Sequence, residues 1–194
     1  VGRENYHLTL AFLGEQGPEG VEAARRTVAA MEGLPAPTLA FAGLGTFPER
    51  GAWRVLVMRL AEAGAEGLPG GGRLAELHTA LNERLAAEEK AAGLPSLNKE
   101  WDADPRRRRP FKAHITLARN RGQTPSDRGG LTLKGRGGLP LEGRGGLTPL
   151  GELPRSLPHP GGGFTLGAVV LYKSELRPRG ALYTELETAK LAPI

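Results

Sequence analysis

The pentapeptide His7-Leu8-Thr9-Leu10-Ala11 recurs as His114-Ile115-Thr116-Leu117-Ala118, engaging two of the chain's four histidines. An imidazole titrates near neutrality and can take up or release a proton, and a threonine hydroxyl can donate a hydrogen bond to an anionic oxygen. In an extended strand successive side chains alternate between faces. His7 and Thr9 would then share one face, with Leu8, Leu10 and Phe12 on the other, and His114 and Thr116 would oppose Ile115 and Leu117 in the same way. Two such strands lining a common cleft would present paired proton-transfer groups flanked by neutral donors, an arrangement that suits a phosphoryl centre. Independent placement would produce the match about a few times in ten thousand, so the repetition carries the signal rather than either copy alone.

The elements that must hold these motifs can be read from spacing and punctuation. After the first strand, Gly14 and Gly17-Pro18 mark a break, and Val21, Ala24, Val28 and Met31 fall at helical spacing. Thr38 to Ala42 and Trp53 to Leu60 read as two strands joined by a turn. Arg73 to Lys90 is a helix with Leu74, Leu77, Leu81 and Leu85 on one stripe; His78 lies beside that stripe and reads as structural. Residues 92 to 110 read as loop, and the second motif strand covers Phe111 to Arg119. Residues 120–163 form a Gly/Arg-rich insertion loop in which Arg128-Gly129-Gly130-Leu131 returns as Arg136-Gly137-Gly138-Leu139 and Arg144-Gly145-Gly146-Leu147. Glycine this dense disfavours regular structure, and His159, set between two prolines of this loop, reads as inert. Strands Phe164 to Ser174 and Ala181 to Leu186, linked through Pro178 and Gly180, complete the order β-α-β-β-α-β-β-β, an α+β arrangement with helices beside antiparallel sheet.

Composition narrows the chemistry. The 194 residues include no cysteine, which removes disulfides and thiolate metal sites and fits a reducing compartment. No apolar run approaches the roughly 18 to 20 residues of a membrane helix, so the expectation is a soluble, cytoplasmic protein without a membrane partner. The formal charge of +5 favours an anionic partner. Arg106-Arg107-Arg108-Arg109 places the densest positive charge just ahead of the second motif, where it could steer a polyanion towards the cleft.

With both motifs placed, the chain resembles the 2H phosphoesterase superfamily, and within it the bacterial RNA 2′,3′-cyclic phosphodiesterases, historically named 2′-5′ RNA ligases. The resemblance rests on Glu4-Asn5-Tyr6-His7-Leu8-Thr9-Leu10-Ala11-Phe12-Leu13-Gly14 and on Pro110-Phe111-Lys112-Ala113-His114-Ile115-Thr116-Leu117-Ala118-Arg119. Leu171-Tyr172-Lys173-Ser174-Glu175-Leu176, continued by Gly180 and Tyr183, supports it. Members of the family place a strand and a helix ahead of the first motif, and this chain, which reaches His7 almost at once, is expected to lack them. The resemblance implies one domain of two lobes over residues 1–194, with two antiparallel sheets in pseudo-twofold symmetry around a central groove and helices on the outer faces.

It also implies metal-independent catalysis with no cofactor, on an RNA carrying a 2′,3′-cyclic phosphate terminus, tRNA fragments among the candidates, by a monomer. His114 would act as general base on water and His7 as general acid to the 3′-oxygen, leaving a 2′-phosphate. Thr9 and Thr116 would donate to the non-bridging oxygens. Arg119 resembles a family arginine that contacts phosphate or nucleotide, although strict alternation puts it on the core face, so a twist or the strand end must redirect it. Lys112, on the face of His114, would add positive potential, and Phe47, in a Gly45-Thr46-Phe47-Pro48 turn, could stack on a base. ATP-independent, reversible 2′-5′ ligation by the same residues is the alternative enzyme reading, since no nucleotide-activating lysine motif or P-loop is present. A non-catalytic RNA-binding module, carried by the Arg-Gly-Gly repeats, is the alternative of a different class. A zinc site lacks an evident third ligand.

Overall fold

The computed structural model describes residues 5–49, 53–62, 72–101, 111–119, 162–177 and 180–193. Arg106 to Arg109, the three Arg-Gly-Gly-Leu repeats and His159 lie outside the described residues, as do positions 120–161 of the expected insertion loop. The elements are α1 (Pro18–Ala29), β1 (Thr38–Phe47), β2 (Val55–Glu62), α2 (Arg73–Ala92), β3 (His114–Arg119), β4 (Gly163–Thr165), β5 (Ala168–Arg177) and β6 (Gly180–Lys190). They build an α+β fold with two antiparallel sheets, one ordered β3-β2-β1-β4 and the other a β5-β6 hairpin.

Helix α1 begins ahead of Val21 because Pro18 sits in its first turn, where a missing N–H has no intrahelical partner to lose. Helix α2 buries all four leucines of its predicted stripe, and that stripe joins the cores. Leu74 packs with Leu39 and Leu60 under the four-stranded sheet. Leu77 and Leu81 pack with Val28, Met31, Val169 and Ala189 between α1 and the hairpin, and Leu85 packs with Ala23, Ala24 and Leu97. At roughly 1.5 to 3 kcal/mol per buried leucine, this stripe is a large share of what holds the two sheets to one scaffold. The start of α2 is fixed by β2: the Glu62 carboxylate accepts hydrogen bonds from the Arg73 and Leu74 N–H groups, each at 2.9 Å, satisfying two of the donors a helix leaves open. Gly72 permits this approach, since a Cβ there would overlap the Glu62 carboxylate.

Four sequence expectations change. Strand β1 continues past Ala42, because Gly43 takes φ +96 and absorbs a register shift between Phe41 and Leu44 instead of ending the strand. Phe47 therefore ends a strand rather than sitting in a turn. The run Phe164 to Ser174 is two strands in different sheets, β4 on β1 and β5 on β6. The Leu166 N–H donates to the Pro37 carbonyl and the Leu191 N–H to the Gly167 carbonyl where the chain crosses between them. Finally, the first motif is not a strand. Leu8 forms one antiparallel bridge with Ile115, and the segment then bends away from β3. Leu10 and Leu13 turn towards the helical cores, which leaves Phe12 59% exposed instead of on the core face.

Across the hairpin, the Tyr172 hydroxyl donates to the Glu185 carboxylate at 3.4 Å. Partial burial, then the neighbouring Glu185 charge and this hydrogen bond, raise the Tyr172 phenol above its ordinary 10.0.

Two outcomes follow from these contacts. Glu62→Ala should lower unfolding stability by about 1 kcal/mol in urea titration, the usual cost of a lost helix cap, with Glu62→Gln, which keeps one acceptor oxygen, losing less. Glu185→Gln should bring the Tyr172 titration, followed by phenolate absorbance against a Tyr172→Phe control, back towards 10.0. Because the folded value is raised, the stability linked to Tyr172 is present in full below the unfolded value and disappears as pH climbs through the folded one.

Candidate functional site

The single bridge between Leu8 and Ile115 determines how the two motifs meet. Its antiparallel sense sets His7 opposite Thr116 and Thr9 opposite His114 in register. Residues opposite one another in an antiparallel pair share a face. Leu8 and Ile115 share theirs with the apolar cluster of Leu39, Leu60 and Leu74. His7, Thr9, His114 and Thr116 occupy the other face, and all four are half-buried.

The two imidazoles have matching local environments. The Nδ1–H of His7 donates to the carbonyl of Asn5 at 2.8 Å, and the Nδ1–H of His114 donates to the carbonyl of Lys112 at 2.7 Å. A carbonyl only accepts, so each bond fixes the proton on Nδ1 and leaves Nε2 as the nitrogen that can gain or lose one. Each ring also meets an aromatic edge: His7 lies 5.1 Å from Tyr183 at 69° and His114 lies 5.0 Å from Phe47 at 68°. These contacts restrict ring rotation, so the position of Nε2 is set by packing as well as by the hydrogen bond.

The neighbours of β3 define the rest of the surface. On β2, Val55, Val57 and Arg59 are spaced by two and share a face, and they pair with Arg119, Thr116 and His114 respectively. The register shifts between the Thr116 and Ala118 pairs, and this shift returns Arg119 to the face of the motif residues, where strict alternation had put it in the core. Arg119 is exposed at the strand end. Arg59, directly opposite His114, belongs to the site although the sequence reading passed over it. The signal was present: a single charge interrupts the otherwise apolar run Val55-Leu56-Val57-Met58-Arg59-Leu60. Tyr183, part of the third matching stretch, lies beside His7 and also meets Tyr172 edge-on at 5.8 Å.

Lys112 is exposed beside His114, but its charge is shared. Glu49, just beyond the end of β1, accepts from Lys112 Nζ at 2.8 Å and lies 3.7 Å from Arg59 Nη2 through the same oxygen. Both pairs are exposed to solvent, a setting in which an ion pair contributes about 0 to 1 kcal/mol. His78 stands apart from the motif histidines, stacked on Phe111 at 4.1 Å and edge-on to Trp101 at 5.6 Å. Among the described residues, no three His, Asp or Glu side chains come together to hold a metal ion, and no helix is long and apolar enough to cross a membrane.

Comparison with known proteins bears on the family and the fold. Residues 1–57 match the family described as LigT like phosphoesterase. An RNA 2′,3′-cyclic phosphodiesterase of Thermus thermophilus is 36% identical over 186 residues, covering 95% of this chain and 71% of the relative. A protein of the same description from Geobacillus stearothermophilus is 39% identical over 127 residues, 64% of this chain, and the match spans only 33% of that longer relative. Among solved structures, a Thermus thermophilus protein superposes with a TM-score of 0.60 at 27% identity, covering 98% of this chain and 80% of that one. Escherichia coli LigT shares the fold, with a TM-score of 0.54 at 23% identity over 98% of this chain and 78% of its own. With the repeated histidine motif set face to face on this fold, and a relative 36% identical over 95% of this chain and 71% of its own length, the chain belongs to the LigT-like, or 2H, phosphoesterase family.

Proposed function

We propose that this chain hydrolyses RNA 2′,3′-cyclic phosphate ends to 2′-phosphates by acid and base catalysis from two histidines. The observation that carries the reading is the crossed antiparallel setting of the motifs, with Nδ1 of each imidazole tied to a backbone carbonyl and Nε2 left to exchange protons. The names of the Thermus and Geobacillus relatives point to the same substrate class.

In this reaction His114 Nε2 takes a proton from a water molecule as its oxygen attacks phosphorus. The bond from phosphorus to the 3′-oxygen breaks, and His7 Nε2–H gives its proton to that leaving oxygen. The phosphate stays on the 2′-oxygen, and the two imidazoles end with exchanged protonation states. Thr9 and Thr116, each opposite the other motif's histidine, donate to the non-bridging oxygens as negative charge grows there. Arg119 holds the phosphate or the nucleotide, and Phe47, already against His114, offers a face on which a base stacks. The motif segment with the β5-β6 hairpin forms one side of a bilobal groove and β1 to β3 form the other, in pseudo-twofold relation, and the protein acts as a monomer.

The test is incubation with an RNA oligonucleotide ending in a 2′,3′-cyclic phosphate in the presence of EDTA, with the terminal phosphate located after the reaction. Wild type should produce the 2′-phosphate. His7→Ala and His114→Ala should each lower turnover by roughly 10² to 10⁴, the range for a lost acid or base group. Undiminished turnover in either variant would sink the mechanism.

A further inference from the structure

Lys112 Nζ and Arg59 Nη2 converge on one oxygen of Glu49, at 2.8 and 3.7 Å. Two cations, one from β2 and one from the segment leading into β3, meeting at one anionic oxygen make a place where a negatively charged oxygen is stabilised. Here the occupant is a carboxylate of the chain itself. The place is prepared: Gly45 lies under the Arg59 side chain, and a Cβ at that position would overlap the guanidinium nitrogens. The side chain therefore crosses β1 over a glycine, away from the first motif segment.

The direction matters. In the order first motif, β3, β2, β1, the reacting phosphate belongs between the first motif and β3, where His7, Thr9, His114 and Thr116 meet. Arg59 starts on β2 and its side chain crosses Gly45 of β1, so its guanidinium is directed away from the first motif segment. That direction leads from the first motif towards Phe47, the ring that meets His114 edge-on and against which a terminal base could stack. Glu49 does not belong to the reacting centre either, since a carboxylate there would repel the phosphoryl group.

We propose that Arg59 and Lys112 form a second phosphate subsite, which takes the phosphodiester one nucleotide upstream of the cyclic end, and that Glu49 occupies it until RNA displaces the carboxylate. This rests on the reading of RNA ends as substrate and adds a preference: oligonucleotides over single nucleotides. All three side chains are at least 47% exposed, so the ion pairs that hold Glu49 in place are weak enough for a phosphodiester to replace them. A phosphodiester offers a permanent negative charge to both cations and is recognised by Arg in a forked geometry that a point charge does not match.

The experiment is calorimetric titration with stable product-type ligands, an adenosine trinucleotide ending in a 2′-phosphate and adenosine 2′-phosphate alone. Arg59→Gln should weaken the trinucleotide about tenfold and the single nucleotide less than twofold, and should reduce the salt slope of trinucleotide binding by about 0.7, the loss of one phosphate contact on a single strand. Glu49→Gln should tighten the trinucleotide severalfold by removing the internal competitor. Equal loss for both ligands in Arg59→Gln would place Arg59 on the reacting phosphate and overturn the subsite, as would no loss for either. Weaker trinucleotide binding in Glu49→Gln would overturn the displacement. Wild type that binds neither ligand would remove the RNA-end reading itself and the subsite with it.

Discussion

The antiparallel contact between Leu8 and Ile115 is the constraint on which the site depends. It is a single bridge, yet it lies between two segments whose side chains divide by alternation into an apolar and a polar set. A slip of one residue would reverse both sets, exposing Leu8 and driving His7 and Thr9 into the apolar cluster of Leu39, Leu60 and Leu74. The register is therefore held by the hydrophobic face rather than by a ladder of hydrogen bonds. The pairing of each histidine with the other motif's threonine follows from that register at no further energetic cost. Helix α2 supports the arrangement from below, because its leucine stripe packs under the four-stranded sheet at one end and under the hairpin's core at the other.

The histidines are fixed locally as well. Each hydrogen bond to the carbonyl two residues earlier is made within the motif segment, so tautomer choice requires no distant partner. The aromatic neighbours come from opposite sides of the structure, Tyr183 from the hairpin and Phe47 from the end of β1. The cations are not distributed evenly. Arg59, Lys112 and Arg119 all stand beside the second motif, whereas the described groups around His7 are Asn5, Tyr183 and, one ring further, the Tyr172–Glu185 pair. A substrate whose chain of phosphates continues beyond the reacting one would lie towards the basic side.

Much of this was legible in the sequence. The motif repeat identified the histidines and threonines, and the leucine spacing of Arg73 to Lys90 identified the buried face of α2, because both are periodic signals and period is what local sequence encodes. The strand over His7 to Phe12 was over-read: alternation was present, but whether an extended segment finds a ladder depends on neighbours far away in sequence, and here Leu10 and Leu13 turn towards the helical cores. The division of Phe164 to Ser174 between two sheets was hidden for the same reason. Arg59 was missed because a lone charge in a strand says nothing of which strand lies opposite.

Three residues around the histidines, Phe47, Arg119 and Tyr183, share one physical feature. Each lies beyond a register shift. Phe41 and Phe47 are six positions apart and would share a face in a regular strand, but the shift between Phe41 and Leu44 leaves Phe41 in the core and carries Phe47 to the side of His114. The shift between the Thr116 and Ala118 pairs returns Arg119 to the motif face. On the hairpin, Glu187 pairs with Leu171 and Glu185 with Tyr172, so the extra residue, Leu186, turns Tyr183 to the face of Tyr172 and towards His7. Arg25 Nη1 donates to the Leu186 carbonyl at 2.6 Å, which gives the displaced backbone a partner. A bulge inverts everything that follows it along a strand. In this fold, three of them take side chains that regular pleating would direct inward and present them to the two histidines, and a period-two reading of the sequence cannot detect an inversion that leaves the period itself unchanged.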